Sequence, residues 1–274
     1  MRNAVLLCAS IAFAVVTGAW AAAPPGEAEL AKHACLDAGC HAALGQKPVV
    51  HGAIAGGDCV PCHEQVGKAH RFKPVADPIS GVCTGCHDDP AADRPAAHAP
   101  AKDGACTTCH DPHSSSEKLL LIDKPVELCT SCHGDIGDAL ALAHPHPVAR
   151  EPGCPLCHDP HGAKSPKLLR EIGNALCLAC HGGLEKAGAK KDGDAVVLFG
   201  SRRVEAAWFE KLPRIALSAE GRGHPFHRHP VGGVADPSKP DRPLGCLSCH
   251  DPHGSAKKAL LLEGGGACGR CHKK

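Results

Sequence analysis

The residues that could do chemistry in this sequence are its cysteines and histidines, 19 and 21 of them in 274 residues. A Cys-x-x-Cys-His motif occurs eight times, at Cys59/Cys62/His63, Cys83/Cys86/His87, Cys106/Cys109/His110, Cys129/Cys132/His133, Cys154/Cys157/His158, Cys177/Cys180/His181, Cys246/Cys249/His250 and Cys268/Cys271/His272. Two thiols at this spacing can add to the two vinyl groups of haem, and the adjacent histidine then lies under the iron as its proximal ligand. The motif therefore predicts covalently attached haem c.

Two other uses of paired cysteines are less consistent with this pattern. Zinc ribbons contain Cys-x-x-Cys pairs but need no histidine after every second cysteine. A disulfide framework, common in exported proteins, predicts no fixed histidine at all. Here all eight pairs carry the histidine, which favours haem.

A ninth, looser motif lies near the amino terminus. Cys35 and Cys40 are separated by four residues, and His41 follows. This spacing is a weak signal alone, and a local disulfide is the alternative. Every other cysteine after the first 22 residues belongs to a motif, and longer-spaced variants of the motif do attach haem. We therefore expect nine haems, or eight if the Cys35/Cys40 site is empty.

The motifs are arranged as tandem pairs, which makes the chain a repeat array. Within a pair the motifs start 22 to 24 residues apart, and the first three pairs begin 47 to 48 residues apart. In three pairs the first motif continues as His-Asp-Pro-His and then a Lys/Leu stretch. The predicted segments are a signal peptide (1–22), a single-haem leader (23–50), two-haem units 1 (51–97), 2 (98–143) and 3 (144–181), a haem-free insert (182–228) and two-haem unit 4 (229–274).

These tandem pairs resemble the doubled-CXXCH family of multihaem c-type cytochromes, over roughly residues 51–274 without the insert. The resemblance implies exported electron-transfer proteins with closely stacked haems, each held by two histidines. Some relatives act on the periplasmic side of an outer-membrane porin, and others polymerise into extracellular conducting filaments. The resemblance does not choose between these roles.

The remaining histidines are candidates for the second, distal iron ligands. Each two-haem unit has one histidine before its first motif and one shortly after it, so it holds the four histidines that two irons need. The distal candidates, with one in the leader, are His33, His51, His70, His98, His113, His146, His161, His229 and His253. His144, His224 and His227 are spare. A histidine three residues after a proximal ligand lies on the same side of that haem, so the Asp-Pro-His histidines must bind a neighbouring iron.

The first 22 residues are typical of a secretion signal. Arg2 precedes an apolar run from Ala4 to Trp20, and small residues follow as a cleavage site. A retained membrane anchor is the alternative. No other stretch reaches the roughly 20 apolar residues of a membrane span, so the sequence predicts a periplasmic protein, with an outer-membrane or extracellular position left open.

The composition argues against an ordinary hydrophobic core. The chain has five Phe, two Trp and no Tyr, against 31 Gly and 24 Pro. We expect a multihaem cytochrome fold, mostly loop with short α-helices and little or no β-structure, in which haem fills the interior. Helices are predicted at Glu127–Ala143 and Asn174–Ala187, and at Ser201–Leu212 in the insert. The insert is predicted to cover a haem face, with a docking surface as the alternative.

Charge points to protein partners. The Lys and Arg residues balance the Asp and Glu residues, and nine haems would add about 18 propionate charges. No basic excess is left for nucleic acid. The expected partners are other multihaem cytochromes or an outer-membrane porin, and self-association is left open.

The leading hypothesis is a non-enzymatic electron conduit through closely stacked haems in periplasmic or outer-membrane extracellular electron transfer. The first alternative is a subunit of an extracellular cytochrome filament. The second is a multihaem reductase with one open iron, for which the leader haem at His41 is the candidate.

Overall fold

The computed structural model describes residues 35–36, 41–57, 59–67, 70–183, 189–218, 220–262 and 266–272. The predicted signal peptide, His33 and Cys40 lie outside these residues. Among the described helices, none is long and apolar enough to cross a bilayer.

Short elements joined by long loops make up the described chain. The α-helices are α1 (Gly52–Ala55), α2 (Ser80–Cys83), α3 (Ala99–Lys102), α4 (Pro125–Thr130), α5 (Gly134–Ala141), α6 (Pro147–Arg150), α7 (Asn174–His181), α8 (Ala206–Glu210) and α9 (Gly266–Gly269). The strands are β1 (Val49–Val50), β2 (Ala96–Ala97), β3 (Ser114–Ser115), β4 (His144–Pro145), β5 (Gly162–Ala163), β6 (Lys190–Asp192), β7 (Ala195–Leu198), β8 (Arg202–Glu205), β9 (Ala235–Asp236), β10 (Lys239–Pro243) and β11 (Gly254–Ser255). Single 3₁₀ turns lie at Ala42–Gly45, Cys106–Thr108, Lys118–Leu120, Cys154–Leu156, Pro166–Leu168, Cys246–Ser248 and Lys258–Leu260.

Two predicted helices are present but shorter than expected. The continuous helix expected over Glu127–Ala143 is two helices, α4 and α5, because His133 between them has non-helical backbone angles (φ −100°, ψ 62°). The helix that begins at Asn174 ends at His181, where Gly182 and then Gly183 (φ 84°) follow. A glycine with positive φ is a common way to end a helix.

The prediction of little or no β-structure is corrected by three small ladders that join successive units. Strand β1 pairs with β3, β2 with β5, and β4 with β11, each over two residues and antiparallel. Each ladder connects the segment before a unit's leading histidine to the segment after the Asp-Pro-His of the next unit. Period-two patterns cannot be seen in two-residue strands, so the sequence carried no signal for them.

The 182–228 insert has a conventional core. Strands β6, β7 and β8 form an antiparallel sheet, and the predicted helix at Ser201–Leu212 is wrong over its first part, which is strand β8. Alternate residues of β7 are buried, as expected for a strand with one covered face. Leu198 and Phe209 have no exposed surface and pack with Val148 and Leu156 of unit 3. The insert is therefore anchored on unit 3.

Unit 4 is joined to unit 3 by polar contacts. The Asn174 side chain, at the start of α7, donates to the Val231 carbonyl (2.5 Å) and accepts from the backbone N–H of Cys246 (2.9 Å). Asp236 is fully buried and accepts two hydrogen bonds from the guanidinium of Arg242 (2.9 and 3.1 Å). These contacts fix the segment that leads into the Cys246 motif.

Candidate haem-binding sites

Each Cys-x-x-Cys-His motif folds as a single turn. In the Cys59, Cys83 and Cys106 motifs, the histidine N–H donates to the carbonyl of the first cysteine at 2.9, 3.0 and 3.1 Å. The Cys177 motif lies within helix α7. Residues three and four positions apart lie on one side of a helical turn. The two thiols and the imidazole of each motif therefore face the same way, as attachment to one haem requires.

Nine pairs of histidine rings lie opposite each other in the described residues, with interplanar angles from 6° to 64°. The pairs and their centroid separations are His41–His70 (5.9 Å), His51–His87 (5.9 Å), His63–His113 (6.2 Å), His98–His133 (6.1 Å), His110–His161 (6.1 Å), His146–His181 (6.3 Å), His158–His253 (6.3 Å), His224–His250 (6.0 Å) and His229–His272 (6.3 Å). Every pair contains one motif histidine and one histidine from outside the motifs. The rings are too far apart to touch.

The separation within each pair fits an iron ion between two imidazoles. Two nitrogens that bind one metal at about 2 Å each lie about 4 Å apart, and the distance from each nitrogen to its ring centre brings the centroids to about 6 Å apart. The observed separations span 5.9 to 6.3 Å. The residues present thus fit a haem iron with two histidine ligands at each pair.

The pairing follows a rule that the sequence revealed only in part. The histidine that leads a unit faces the second motif of its own unit, as in His98–His133. An Asp-Pro-His histidine faces the first motif of the preceding unit, as in His110–His161. Each Asp-Pro-His histidine therefore lies opposite the first motif of the preceding unit, and not opposite a motif of its own unit.

The two ends of the array have different partners from those expected. His41 faces His70 of unit 1, whereas the sequence assigned His33 to this site. His224, taken as spare, faces His250. At His250 the insert segment thus takes the place that an Asp-Pro-His histidine has at His110 and His158. The other spare histidines, His144 and His227, face no histidine ring within the described residues.

The backbone holds the distal ligands of one unit side by side. The N–H of each leading histidine donates to the carbonyl of an Asp-Pro-His histidine, as in His51 to His113 (2.9 Å), His98 to His161 (3.1 Å) and His146 to His253 (2.9 Å). Imidazole Nδ1 atoms of His98 and His146 also lie 2.9 and 3.0 Å from the carbonyls of Pro160 and Pro252. The small ladders therefore set both distal rings of a unit at once.

The proximal rings in units 2 to 4 are oriented by a turn in the Lys/Leu stretch. Nδ1 of His110, His158 and His250 lies 2.9, 2.7 and 2.7 Å from the carbonyls of Leu119, Lys167 and Ala259. Positive φ values mark these turns at Leu119 (61°), Leu120 (58°), Lys167 (60°), Leu168 (57°), Ala259 (57°) and Leu260 (57°). Left-handed conformations cost such residues roughly 1–2 kcal/mol each, so the turn has a positional purpose. Donation from Nδ1 leaves Nε2 free to bind metal.

Sequence reasoning missed this second role of the Lys/Leu stretch. Leu, Lys and Ala are poor signals for a left-handed turn, because glycine, asparagine and aspartate are the residues that usually adopt it. The only cue was the recurrence of the stretch in units 2, 3 and 4.

Burial keeps several of these imidazoles neutral. Burial lowers the pKa of His146, His158, His161 and His224 below the ordinary value of 6.5. The neutral imidazole is the form that binds a metal ion. These rings are therefore in the ligating state at neutral pH.

Cysteine contacts show which motifs are neighbours. Between units, hydrogen bonds link Cys83 with Cys106, Cys129 with Cys154, and Cys177 with Cys246. Within units, electrostatic contacts link Cys62 with Cys83, Cys109 with Cys132, Cys157 with Cys180, and Cys249 with Cys271. The Cys129 thiol donates to Cys154 and lowers the pKa of Cys154 to about 7. The motifs from Cys59 to Cys271 therefore follow each other in space in chain order.

One continuous cavity of about 3060 Å³ runs past these motifs. Its lining includes cysteines and histidines of all eight Cys-x-x-Cys-His motifs, together with the leucines of the Lys/Leu stretches. Single-ligand pockets measure about 300–1,000 Å³. The cavity thus has room for several large groups in a row, bounded by the residues that would bind them.

Comparison with known proteins identifies the family. A family model described as "Doubled CXXCH motif" matches residues 51–92, 98–138, 146–186 and 240–274, which is more than half of the chain. The chain therefore belongs to the doubled-CXXCH family of multihaem c-type cytochromes. Its motifs imply covalently bound haem c. A search of the curated proteins found no match.

Proposed function

We propose that this protein is an exported electron conduit of nine haems c, each iron held by two histidines, that acts in periplasmic or outer-membrane extracellular electron transfer. The bound haems would supply one-electron redox chemistry. The polypeptide would fix their spacing, their ligands and their exposure to solvent.

The nine facing histidine pairs carry this proposal. An iron with two histidine ligands has no open position for a substrate, so its chemistry is limited to gaining and losing electrons. The reductase alternative depended on an open iron at His41. His70 lies 5.9 Å from His41, ring centre to ring centre, and supplies the second imidazole there.

The cysteine contacts support a single path. Neighbouring motifs lie near each other within units, as at Cys249 and Cys271, and are joined by a hydrogen bond between units, as at Cys83 and Cys106. Electrons would then pass from site to site in the order of the sequence. The two ends of the path would be the His41 site and the His272 site, where redox partners such as another multihaem cytochrome or a porin-bound one would dock.

Two measurements on the purified holoprotein test the proposal. Intact mass and the pyridine haemochrome spectrum should give nine haems. A count of eight with unmodified Cys35 and Cys40 would remove the leader site. The reduced spectrum should not change on adding carbon monoxide, whereas a shift in about one ninth of the haem absorbance would reveal one open iron and favour the reductase.

A matched pair of variants assigns the leader site. His70→Ala should open one iron to carbon monoxide, because it removes the ring that faces His41. His227→Ala is the control, since His227 is exposed and faces no histidine ring in the described residues. A carbon monoxide shift with His227→Ala but not with His70→Ala would overturn the assignment.

A filament subunit is the second candidate, and His227 is the observation that favours it. This histidine is exposed and is not part of the cavity lining, so it is placed to contact the surface of another copy. Electron microscopy and sedimentation of the wild type should then show filaments that His227→Ala abolishes. A monomer in both would remove this candidate.

A further inference from the structure

Unit 3 has a charged side chain at a position where units 2 and 4 have an aliphatic one. The residue that follows the Lys/Leu turn donates its N–H to the second cysteine of the first motif in each of units 2, 3 and 4. This residue is Ile122 on Cys109 (3.0 Å), Arg170 on Cys157 (2.9 Å) and Leu262 on Cys249 (2.9 Å). An arginine at this position is thus peculiar to the motif at Cys154.

Arg170 is buried and incompletely paired. Its side chain is 9% exposed, Nη1 lies 3.3 Å from the Asp159 carboxylate, and Nε donates to the Pro155 carbonyl at 3.1 Å. Its Nη2 is buried and finds no acceptor among the described residues. A buried charged donor without a partner is costly, so an acceptor is expected there.

A second arginine with the same property comes from the insert. Arg202, in strand β8, lines the cavity, and its Nε is buried with no acceptor in the described chain. Burial lowers the pKa of Arg170 most, and the positive charge of Arg202 lowers that pKa further. Arg94 acts on Arg170 in the same direction, and Asp159 opposes it. Arg170 is therefore paired with one carboxylate while two further arginine charges act on it, so positive charge is in excess at this site.

We propose that Arg170 and Arg202 form a carboxylate-binding pocket for a propionate of the haem attached at Cys154 and Cys157, and that this pocket makes that haem easier to reduce than the haem attached at Cys106 and Cys109. This rests on the proposed function. Both arginines present N–H donors in the planar fork that suits a carboxylate. The insert would thus contribute Arg202 to unit 3 as well as His224 to unit 4.

The direction of the effect on potential follows from charge. A ferric haem centre carries one more positive charge than a ferrous one, so nearby buried cations disfavour the ferric state. Coulomb interactions are screened less in a buried site than in water. In unit 4, Arg270 also has a buried Nε without an acceptor in the described chain, and its charge acts on Cys249. The comparison is therefore with unit 2: the His158–His253 site should have a higher reduction potential than the His110–His161 site.

Spectroelectrochemical titration of three variants tests this. Arg202→Gln removes the unpaired guanidinium, and Arg170→Leu gives unit 3 the residue of unit 4. Each should lower the potential of one haem and leave the others unchanged. Arg203→Gln is the control, because Arg203 is the next residue, has a 58% exposed side chain and pairs with Asp192 on the surface. Equal curves for Arg202→Gln, Arg170→Leu and Arg203→Gln would overturn the inference.

Two further readouts separate the possible failures. Haem content and the low-spin spectrum report on the proposed function. A wild-type protein with too few haems would contradict the proposed function, and not the role of the two arginines. Titrations at several chloride and phosphate concentrations test the identity of the anion. A wild-type potential that changes with these anions, and a variant potential that does not, would mean that a solvent anion occupies the pocket and would overturn the assignment to propionate.

Discussion

The insert at 182–228 and the two-haem units are built in opposite ways. The insert has a sheet, a helix and a side-chain core in which Leu198 and Phe209 have no exposed surface. The units have two-residue ladders and single turns, and their motif cysteines and histidines border a cavity of about 3060 Å³. The units lack the large apolar side chains that would fill it.

This difference shows two sources of folding free energy in one chain. The insert gains stability from burying its own side chains. The units depend on groups that the chain binds, so ligand binding there is also folding. The insert also completes unit 4, because its His224 faces His250 in the place that an Asp-Pro-His histidine takes elsewhere.

The largest effect should come from withholding haem. A chain made without haem attachment should lose the units entirely, since their interior would be empty. Any slow amide exchange that remains should lie in strands β7 and β8 (195–198 and 202–205), whose hydrogen bonds are backed by the insert core. Hydrogen exchange by mass spectrometry measures this. Protected amides in the 106–133 region would contradict the comparison.

Disrupting the insert core should reduce stability less than withholding haem does, but the loss should still be large. Phe209→Ala should destabilise the protein by about 3–5 kcal/mol, the usual range for a fully buried phenylalanine. The loss should open the His181 site first, because the Arg214 guanidinium lies 4.5 Å from the Phe209 ring and donates to the Cys180 carbonyl.

Denaturant titration followed by the haem spectrum gives these values. Ile172→Ala is the apolar control, because that side chain is 65% exposed and is not part of the cavity lining, and surface changes stay within about 0.5 kcal/mol. Equal losses for the two variants would show that the insert core contributes little.

A smaller effect is expected from crowding one ladder. A Cβ at Gly254, in strand β11, would overlap the carbonyl oxygen of Ala139. Gly254→Ala should therefore push β11 away from helix α5, disturb its pairing with β4 and destabilise the protein by about 1–3 kcal/mol, as overpacking does. The shift should appear at the His158–His253 site. Gly134→Ala is the control, since a Cβ there meets no atom within 4 Å, and a loss as large as that of Gly254→Ala would refute the ladder's role.

Removing one distal ligand should change the spectrum more than the stability. His161→Ala and His224→Ala should each make about one ninth of the haem absorbance sensitive to carbon monoxide. The first would act at His110 and the second at His250. Equal effects would show that the insert replaces a repeat unit in function. No shift with His224→Ala would mean that another ligand closes the His250 site.

The smallest effect should be one that depends on pH. Hydrogen bonds from Ser238, Ser248 and Arg242 hold the pKa of Asp236 well below its ordinary value of 3.8. The carboxylate therefore stabilises unit 4 fully above its unfolded pKa, and this contribution is lost as the pH falls through the acid range. Asp236→Asn lacks it at every pH. The stability gap between wild type and variant should be widest near pH 7 and narrow toward pH 3, and a constant gap would refute the ionic contribution.

The sequence predicted the local structure and the chemistry of the two-haem units better than it predicted the structure of the insert. The motif at Cys154 predicted its own turn and its haem, because all its atoms lie within five residues. The strand at Arg202–Glu205 was taken for a helix, since Ser201–Leu212 has both a helical start signal and a helical period. Pairing with β7 decided the outcome, and that contact is set by tertiary structure.

The sequence alone predicts where haem would be attached and which histidine would be the proximal ligand, because each motif places two thiols and one imidazole on a single helical turn. It also determined that the interior must be filled by something other than side chains. Only the tertiary structure shows which histidine lies opposite each motif histidine, where a second iron ligand would be. His158 faces His253, and His250 faces His224, and such partners are brought together by ladders and turns between segments distant in the chain. The spacing within a motif sets the direction of its side chains, but the fold of the whole backbone sets which residues lie opposite them.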